Sequence, residues 1–225
     1  HHYAPLRIGF ARRTAAELFA QFLSLLLENR ERDEEEAYEA AAQARHHRVI
    51  TAMAADESRF DAIARHLDEF ADLLPCDGAG LWIQGKATLK GLVPNAEQFA
   101  SLVRHFDATG LEDVHACHDI GAEFPRGRDF VDRAAGMLVV PLSRPPRDYL
   151  VFFRKENLRS VNWAGDPAKP ITVGPLGDRL TPRKSFELWR ETVRGQSLAW
   201  RPVECRVAEN LRVSLLEVIL RMSDE

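Results

Sequence analysis

Apolar residues change their spacing along the chain, and each change marks a different kind of structure. From about Arg12 to Leu74 they recur at threes and fours. Leu18, Phe22, Leu25 and Leu26 share one helical face, and Ile50, Met53, Phe60, Ile63, Leu67, Phe70 and Leu74 continue the period further on. Between these stripes lies Arg30-Glu31-Arg32-Asp33-Glu34-Glu35-Glu36, almost wholly charged. Glu28 with Arg32, Arg30 with Glu34, and Arg32 with Glu36 stand one helical turn apart, a spacing that supports a helix even without a core to pack on. The pattern predicts a helical spine whose two ends pack on different bodies, or which pairs with another helix. Two ordinary surface helices joined by a loop near Arg45 to Arg48 are the alternative.

From Cys76 to Glu156 the period shortens. Pro75 and Gly78 close the helix. Ala79 to Gln84 and Ala87 to Leu89 read as a hairpin around Gly85-Lys86. Asn95 starts a helix with Phe99, Leu102, Val103 and Phe106 on one face, and Val114 to Cys117 reads as a short strand. Gly136 to Leu142 and Tyr149 to Phe153 are the strongest strands, joined by a Ser143–Asp148 turn. Strands joined by hairpins, with helices between them, imply an α+β fold around an antiparallel sheet. Leu81, Ile83, Leu138, Val140, Leu150 and Phe152 should share one face, with Val139 and Val151 on the other.

The next segment, Asn157 to Pro202, carries Gly165, Pro167, Pro170, Gly174, Pro175, Gly177 and Pro182, which leave little regular structure. So long an irregular stretch inside a compact domain is usually functional. It also holds Trp163, Trp189 and Trp200, residues that call for a surface to cover. Its last third suits two geometries. As a helix capped by Thr181, with Pro182 first and Gly195 after it, Phe186, Trp189 and Val193 share a face. As a strand, Ser185, Glu187, Trp189 and Glu191 lie on one face and Lys184, Phe186, Leu188 and Arg190 on the other. Glu204 to Glu225 closes the chain as a helix with Val207, Leu211, Leu215, Val218 and Met222 on one face.

Composition narrows the classes. The 225 residues are 45% hydrophobic and 28% charged, with a formal net charge of −4, which excludes a disordered chain and a basic nucleic-acid footprint. The three cysteines, Cys76, Cys117 and Cys205, are odd in number and widely spaced, which points to a reducing, cytoplasmic setting. No apolar run has membrane-spanning length, and no signal peptide opens the chain. His1-His2-Tyr3 without a methionine reads as an internal start or the stub of a tag. His115, Cys117 and His118 stand close together but lack a fourth ligand, so no metal site is assigned. Cys117 as a nucleophile would need a spatially placed base and an orienting third group. His46-His47 is read as a solvated helix face.

Trp163-Ala164-Gly165, Pro182-Arg183-Lys184-Ser185-Phe186 and Trp189-Arg190-Glu191, in this order, resemble the W-[GA]-G, P-R-x-S-F and W-x-E motifs in the tongue of a phytochrome PHY domain. Cys76-Asp77-Gly78-Ala79, Ala135-Gly136 through Pro141-Leu142-Ser143, and Asp148-Tyr149-Leu150 with Phe153-Arg154 are similar to core strands of bacterial phytochromes. His1-His2-Tyr3 resembles the close of the preceding GAF domain, and Arg13 to Leu25 its last helix. The resemblance covers nearly the whole chain. It implies residues 1–25 as the end of the GAF domain, 26–74 as a spine, 75–156 as a GAF-like PHY core, 157–202 as the tongue and 203–225 as an output helix.

The resemblance further implies a light-sensing module and no catalysis in this segment. In the family a linear tetrapyrrole, biliverdin in bacterial members, sits in the GAF domain and is attached through a cysteine N-terminal to it; this segment is expected to hold no cofactor. The P-R-x-S-F arginine meets the aspartate of a D-I-P motif in the red-absorbing state, and the serine replaces it in the far-red-absorbing state. The matching residues are Arg183 and Ser185, with Pro182, Phe186, Trp163, Gly165, Trp189 and Glu191 completing the tongue contacts. The D-I-P motif itself is missing; Asp119-Ile120-Gly121 is not it. One of His1 and His2, with His1 the candidate, stands where a histidine of the family touches the chromophore's last ring. Implied partners are the GAF domain, a second copy paired along Leu211, Leu215, Val218 and Met222, and an output domain, most commonly a histidine kinase with its response regulator. That pairing stripe is expected to be unusually exposed in a single chain. Away from the GAF domain, the tongue is expected to be loosely held between about Trp163 and Trp200. A small-ligand or cyclic-nucleotide binding GAF-like module and an enzyme domain remain the alternatives.

Overall fold

The computed structural model describes residues 8–54, 63–143, 147–164, 173–174, 177–178 and 188–223. Helix α1 runs unbroken from Phe10 to Ala54, through Arg45 to Arg48, so the expected spine is one helix there and not two. Its salt-bridge spacing is realised by Arg30 and Glu34 at 2.9 Å, while Arg32 turns back to Asn29 at 3.0 Å. After a short α2 (Leu67–Ala71), the sheet is built from β1 (Gly78–Ile83), β2 (Lys86–Gly91), β3 (His115–Cys117), β4 (Gly136–Pro141) and β5 (Tyr149–Arg154). The order is β2-β1-β5-β4-β3, antiparallel throughout, with β5 in the middle.

Strands β4 and β5 are buried at every position because both faces of the sheet are covered, which is why their sequences read as continuous apolar runs. Register pairs Leu138 with Phe152, Val139 with Val151, and Val140 with Leu150. The alternation expected from the sequence holds. Leu81, Leu138, Val140, Leu150 and Phe152 enter a core with Val49, Met53, Leu67 and Phe70, and Ile83 packs at its margin. Val139 and Val151 face a second core with Phe99, Leu102, Val103, Phe106 and Phe130. Each fully buried leucine or phenylalanine here contributes about 1.5–3 kcal/mol relative to exposure.

Local signals set the ends of the elements. Helix α3 (Ala96–Thr109) begins with a reciprocal capping box, Asn95 and Gln98 each accepting the other's backbone N–H at 2.9 Å, and ends on Gly110 with φ 67°. The β1–β2 hairpin turns on Gln84 and Gly85, both at positive φ, one residue earlier than the expected Gly85-Lys86. A four-residue α4 (Ile120–Glu123) and a 3-10 turn (Pro125–Phe130) lead into β4.

Helix α5 (Pro202–Ser223) starts two residues before the expected Glu204, because Pro202 occupies the first helical position and Glu204 reaches back to accept the Arg201 N–H at 2.8 Å. Val203, Val207, Ala208, Leu211 and Leu215 are buried against α1 and the sheet, whereas Arg206, Asn210, Val213 and Glu217 face outward. Arg206 also pairs with Glu35 at 3.3 Å and Glu39 at 3.4 Å, so part of the charged middle of α1 holds α5.

Candidate functional site

The site is where the irregular excursion leaves and rejoins the core. Beyond β5 the chain forms β6 (Arg159–Ala164), which pairs antiparallel with β9 (Leu188–Val193). Trp163 is the register partner of Trp189, and Val161 that of Glu191. Further out, β7 (Val173–Gly174) pairs with β8 (Gly177–Asp178). Of the two geometries open to the last third of the excursion, residues 188–193 take the strand. Pro182, Arg183, Ser185, Phe186, Gly165 and His1 lie outside the described residues.

At the neck the two legs are joined to each other and to the core. Asn157 N–H donates to the Gln196 carbonyl at 2.8 Å, and the N–H of Gly195, at φ 77°, to Glu156 Oε1 at 2.6 Å. Ser197 N–H donates to the His118 carbonyl at 2.9 Å, and Gln196 Nε2 to Asp119 Oδ2 at 3.3 Å. Ser197 sits so close to β4 that a Cβ on Gly136 would run into its Oγ; only glycine lets the return leg lie there. Residues 195–200 are therefore docked, which corrects the expectation of a loosely held segment reaching as far as Trp200. The reason is local: these residues supply backbone groups that the ends of the core strands can satisfy.

The centre of the neck is Arg154, the last residue of β5 and buried. Its Nε donates to the Pro75 carbonyl at 2.8 Å and its Nη1 to the carbonyls of Ala199 at 3.0 Å and Leu198 at 3.4 Å. Its Nη2 lies 3.0 Å from Glu204 Oε2, and its plane stacks on the Trp200 ring at 3.6 Å. Glu204, 2% exposed, also accepts from Arg201 Nε at 3.0 Å, and the Arg201 guanidinium lies 4.8 Å over the Tyr38 ring. Burial and the Glu204 carboxylate together push the Tyr38 phenol above its ordinary range. Sequence reasoning singled out none of Arg154, Glu204 or Ser197 as functional. Local signals mark Arg154 and Glu204 singly, a cation closing an otherwise apolar strand and an acid at the third position of a helix that opens with proline, but none marks Ser197 or the contacts among the three.

The stripe expected to be free on α5 is not free. Leu211 and Leu215 are buried at 1% and 0% exposure, and Val218 is half-buried against the same core. The helix is amphipathic because it covers the sheet and α1, and a leucine in that core has no surface left for a second chain. Met222 lies on α5, its side chain outside the described residues. Apolar exposure is found instead on the first half of α1, with Leu18 at 61% and Phe22 at 60%.

Nucleophilic chemistry finds no support among the described residues. Burial pushes the Cys117 thiol up to about 12 and the Cys76 thiol up to about 11, so both stay protonated. His115 is engaged with Glu123 at 2.7 Å. No group of three or more His, Cys, Asp or Glu among the described residues could hold a metal ion.

Residues 42–224 match a family model described as the phytochrome region. Cyanobacterial phytochrome A of Nostoc sp. is 33% identical over 227 residues, covering 100% of this chain and 29% of that protein. A bacteriophytochrome of Pseudomonas aeruginosa is 31% identical over 229 residues, covering 100% of this chain and 30% of that protein. A crystal structure of a bacteriophytochrome from R. palustris superposes with a TM-score of 0.78 at 30% identity, over 98% of this chain and 44% of that one. The photosensory core module of a Stigmatella aurantiaca phytochrome does so with 0.73 at 30% identity, over 95% and 42%. The chain thus spans less than a third of those two curated relatives and under half of the two solved chains.

Proposed function

This chain belongs to the phytochrome family, and on that premise we propose that it is the tongue-bearing signalling region of a red/far-red light receptor. Residues 157–202 act as the tongue, closing the tetrapyrrole pocket of the preceding GAF domain. Arg183 and Ser185 take turns at that domain's D-I-P aspartate, with Pro182, Phe186, Trp163, Gly165, Trp189 and Glu191 around them and His1 near the last ring. Helix α5 hands the change to an output domain, a histidine kinase acting on a response regulator, in a homodimeric parent.

The observation that carries this reading is the β6–β9 ribbon bearing the tongue tryptophans in register, whose return leg runs through residues 194–201 directly into α5. If such a ribbon refolds to a helix it shortens, since a helix rises about 1.5 Å per residue and a strand about 3.3 Å. Over roughly ten residues the contour changes by on the order of 15–20 Å.

The tetrapyrrole itself, biliverdin in a bacterial parent, is assigned by this reading to the GAF domain. A hollow of about 540 Å³ in this segment is walled by Arg45, Arg48, Val49, Ala52, His66, Glu69 and Asp72, a mixed lining more charged than such a ligand needs. The thiols of Cys76 and Cys117 are too buried and too basic to attach one. Among the described residues no helix is long and apolar enough to cross a membrane.

The test is Arg183→Ala in the biliverdin-loaded parent. Pigment attachment should persist while the dark-reversion rate changes roughly tenfold, as expected for losing a hydrogen bond between charged groups. Spectra and reversion rates equal to wild type would contradict the assignment.

A further inference from the structure

Strand β5 is apolar from Tyr149 to Phe153 and then ends on a buried guanidinium. Burying an arginine is unfavourable unless its donors find acceptors. Arg154 meets that need by dividing its three nitrogens among three separate pieces of chain. Nε holds the Pro75 carbonyl, Nη1 the Leu198 and Ala199 carbonyls of the return leg, and Nη2 the Glu204 carboxylate in the first turn of α5. Trp200 covers the guanidinium face at 3.6 Å. The arginine is carried by the middle strand of the five-stranded sheet, the part of the core with least freedom to follow a moving loop.

We propose that Arg154 is the latch that couples the tongue to the output helix; the proposal rests on the reading of the tongue as a light-driven refolding segment. With the tongue as a ribbon, the guanidinium holds the return leg and the start of α5 against the core together. When the tongue shortens, Leu198 and Ala199 are drawn off Nη1 and Trp200 off its face. The arginine then keeps only the Pro75 carbonyl and Glu204, and with Trp200 gone from its face water reaches the Arg154–Glu204 pair, weakens it and releases the first turn of α5.

Two other ties at the neck break more gradually. The Asn157–Gln196 and Gly195–Glu156 bonds involve groups that remain partly exposed, so water replaces them as they stretch. Arg154 and Glu204 are 7% and 2% exposed, so water reaches their contact only once Trp200 and the return leg have moved. Its release is therefore abrupt, as a two-state coupling requires. Lysine would keep the charge beside Glu204, but as a point charge on a flexible stem it cannot span all three partners. Arg154 is thus a positioning residue, acting on the output through Glu204.

The experiment is hydrogen exchange on the full-length, pigment-loaded parent in its two photostates, comparing wild type with Arg154→Lys and with Glu204→Gln. In wild type, amides of residues 188–193 and 203–210 should both change their exchange rates between photostates by about fivefold or more, a usual size for allosteric coupling. In each variant residues 188–193 should still respond, while 203–210 differ between photostates by less than about twofold. A purely structural arginine would shift exchange equally in both photostates and leave the difference intact; that result overturns the latch. A wild-type response at 188–193 without one at 203–210 overturns it as well. No wild-type response at 188–193 overturns the refolding tongue, and the latch with it. Should Arg154→Lys fail to fold, Glu204→Gln decides the matter, since its amide keeps the shape and the bond to the Arg201 N–H but removes the charge that Arg154 pairs with.

Discussion

The first half of α1 and the body of α5 carry similar stripes and use them differently. Leu18, Phe22, Leu25 and Leu26 are about half exposed or more, whereas Leu211 and Leu215 are closed into the core. Both stripes fit one helical face, and both were read as contacts waiting for a partner. The difference teaches that periodicity says a helix has something to lie against and leaves open what that is. For α5 it is the chain's own sheet and α1. For the first half of α1, nothing among the described residues covers the stripe.

The sharpest way to break this comparison is to truncate one residue from each. Leu211→Ala should cost this segment about 2–5 kcal/mol in denaturant unfolding, as a leucine removed from a closed core does. A cost below about 1 kcal/mol would mean that α5 is not packed as described. Gly136→Ala comes next, because the added methyl forces Ser197 off β4. Overpacking of this kind costs about 1–3 kcal/mol, and here it should also speed proteolysis within residues 194–201. The smallest effect is on the exposed stripe: Phe22→Ser should change unfolding free energy by no more than about 0.5 kcal/mol. A larger loss would show that α1 buries this face within a single chain.

What the sequence made legible follows the range of the interactions. The strands, their alternating faces and the Asn95 cap depend on neighbours a few residues away, and they were readable. So was the helical continuity of α1, from charges one turn apart. The neck was not readable as a site. Arg154 meets Pro75 and Ala199, 79 and 45 residues distant, and Gly136 matters only because Ser197 lies on it. No local pattern encodes such pairs; they exist only once the sheet is assembled. The expectation that Leu211 and Leu215 would be exposed in a single chain failed for the same reason. The motifs that resemble a phytochrome tongue include Arg183 and Ser185, which lie outside the described residues.

The central claim is that the ribbon seen here is one of two states, and a crosslink between register partners tests it most directly. Ser160 and Thr192 are paired across β6 and β9, and opposed residues in an antiparallel ribbon lie about 4.5–5.5 Å apart, within reach of a disulfide. With Ser160→Cys and Thr192→Cys in the pigment-loaded parent, oxidation should close the bond readily in one photostate and at least about tenfold more slowly in the other. The closed disulfide should also abolish the light response of residues 203–210. Equal rates of closure in both photostates, or an undiminished response in the crosslinked protein, would contradict a refolding tongue that drives the output helix.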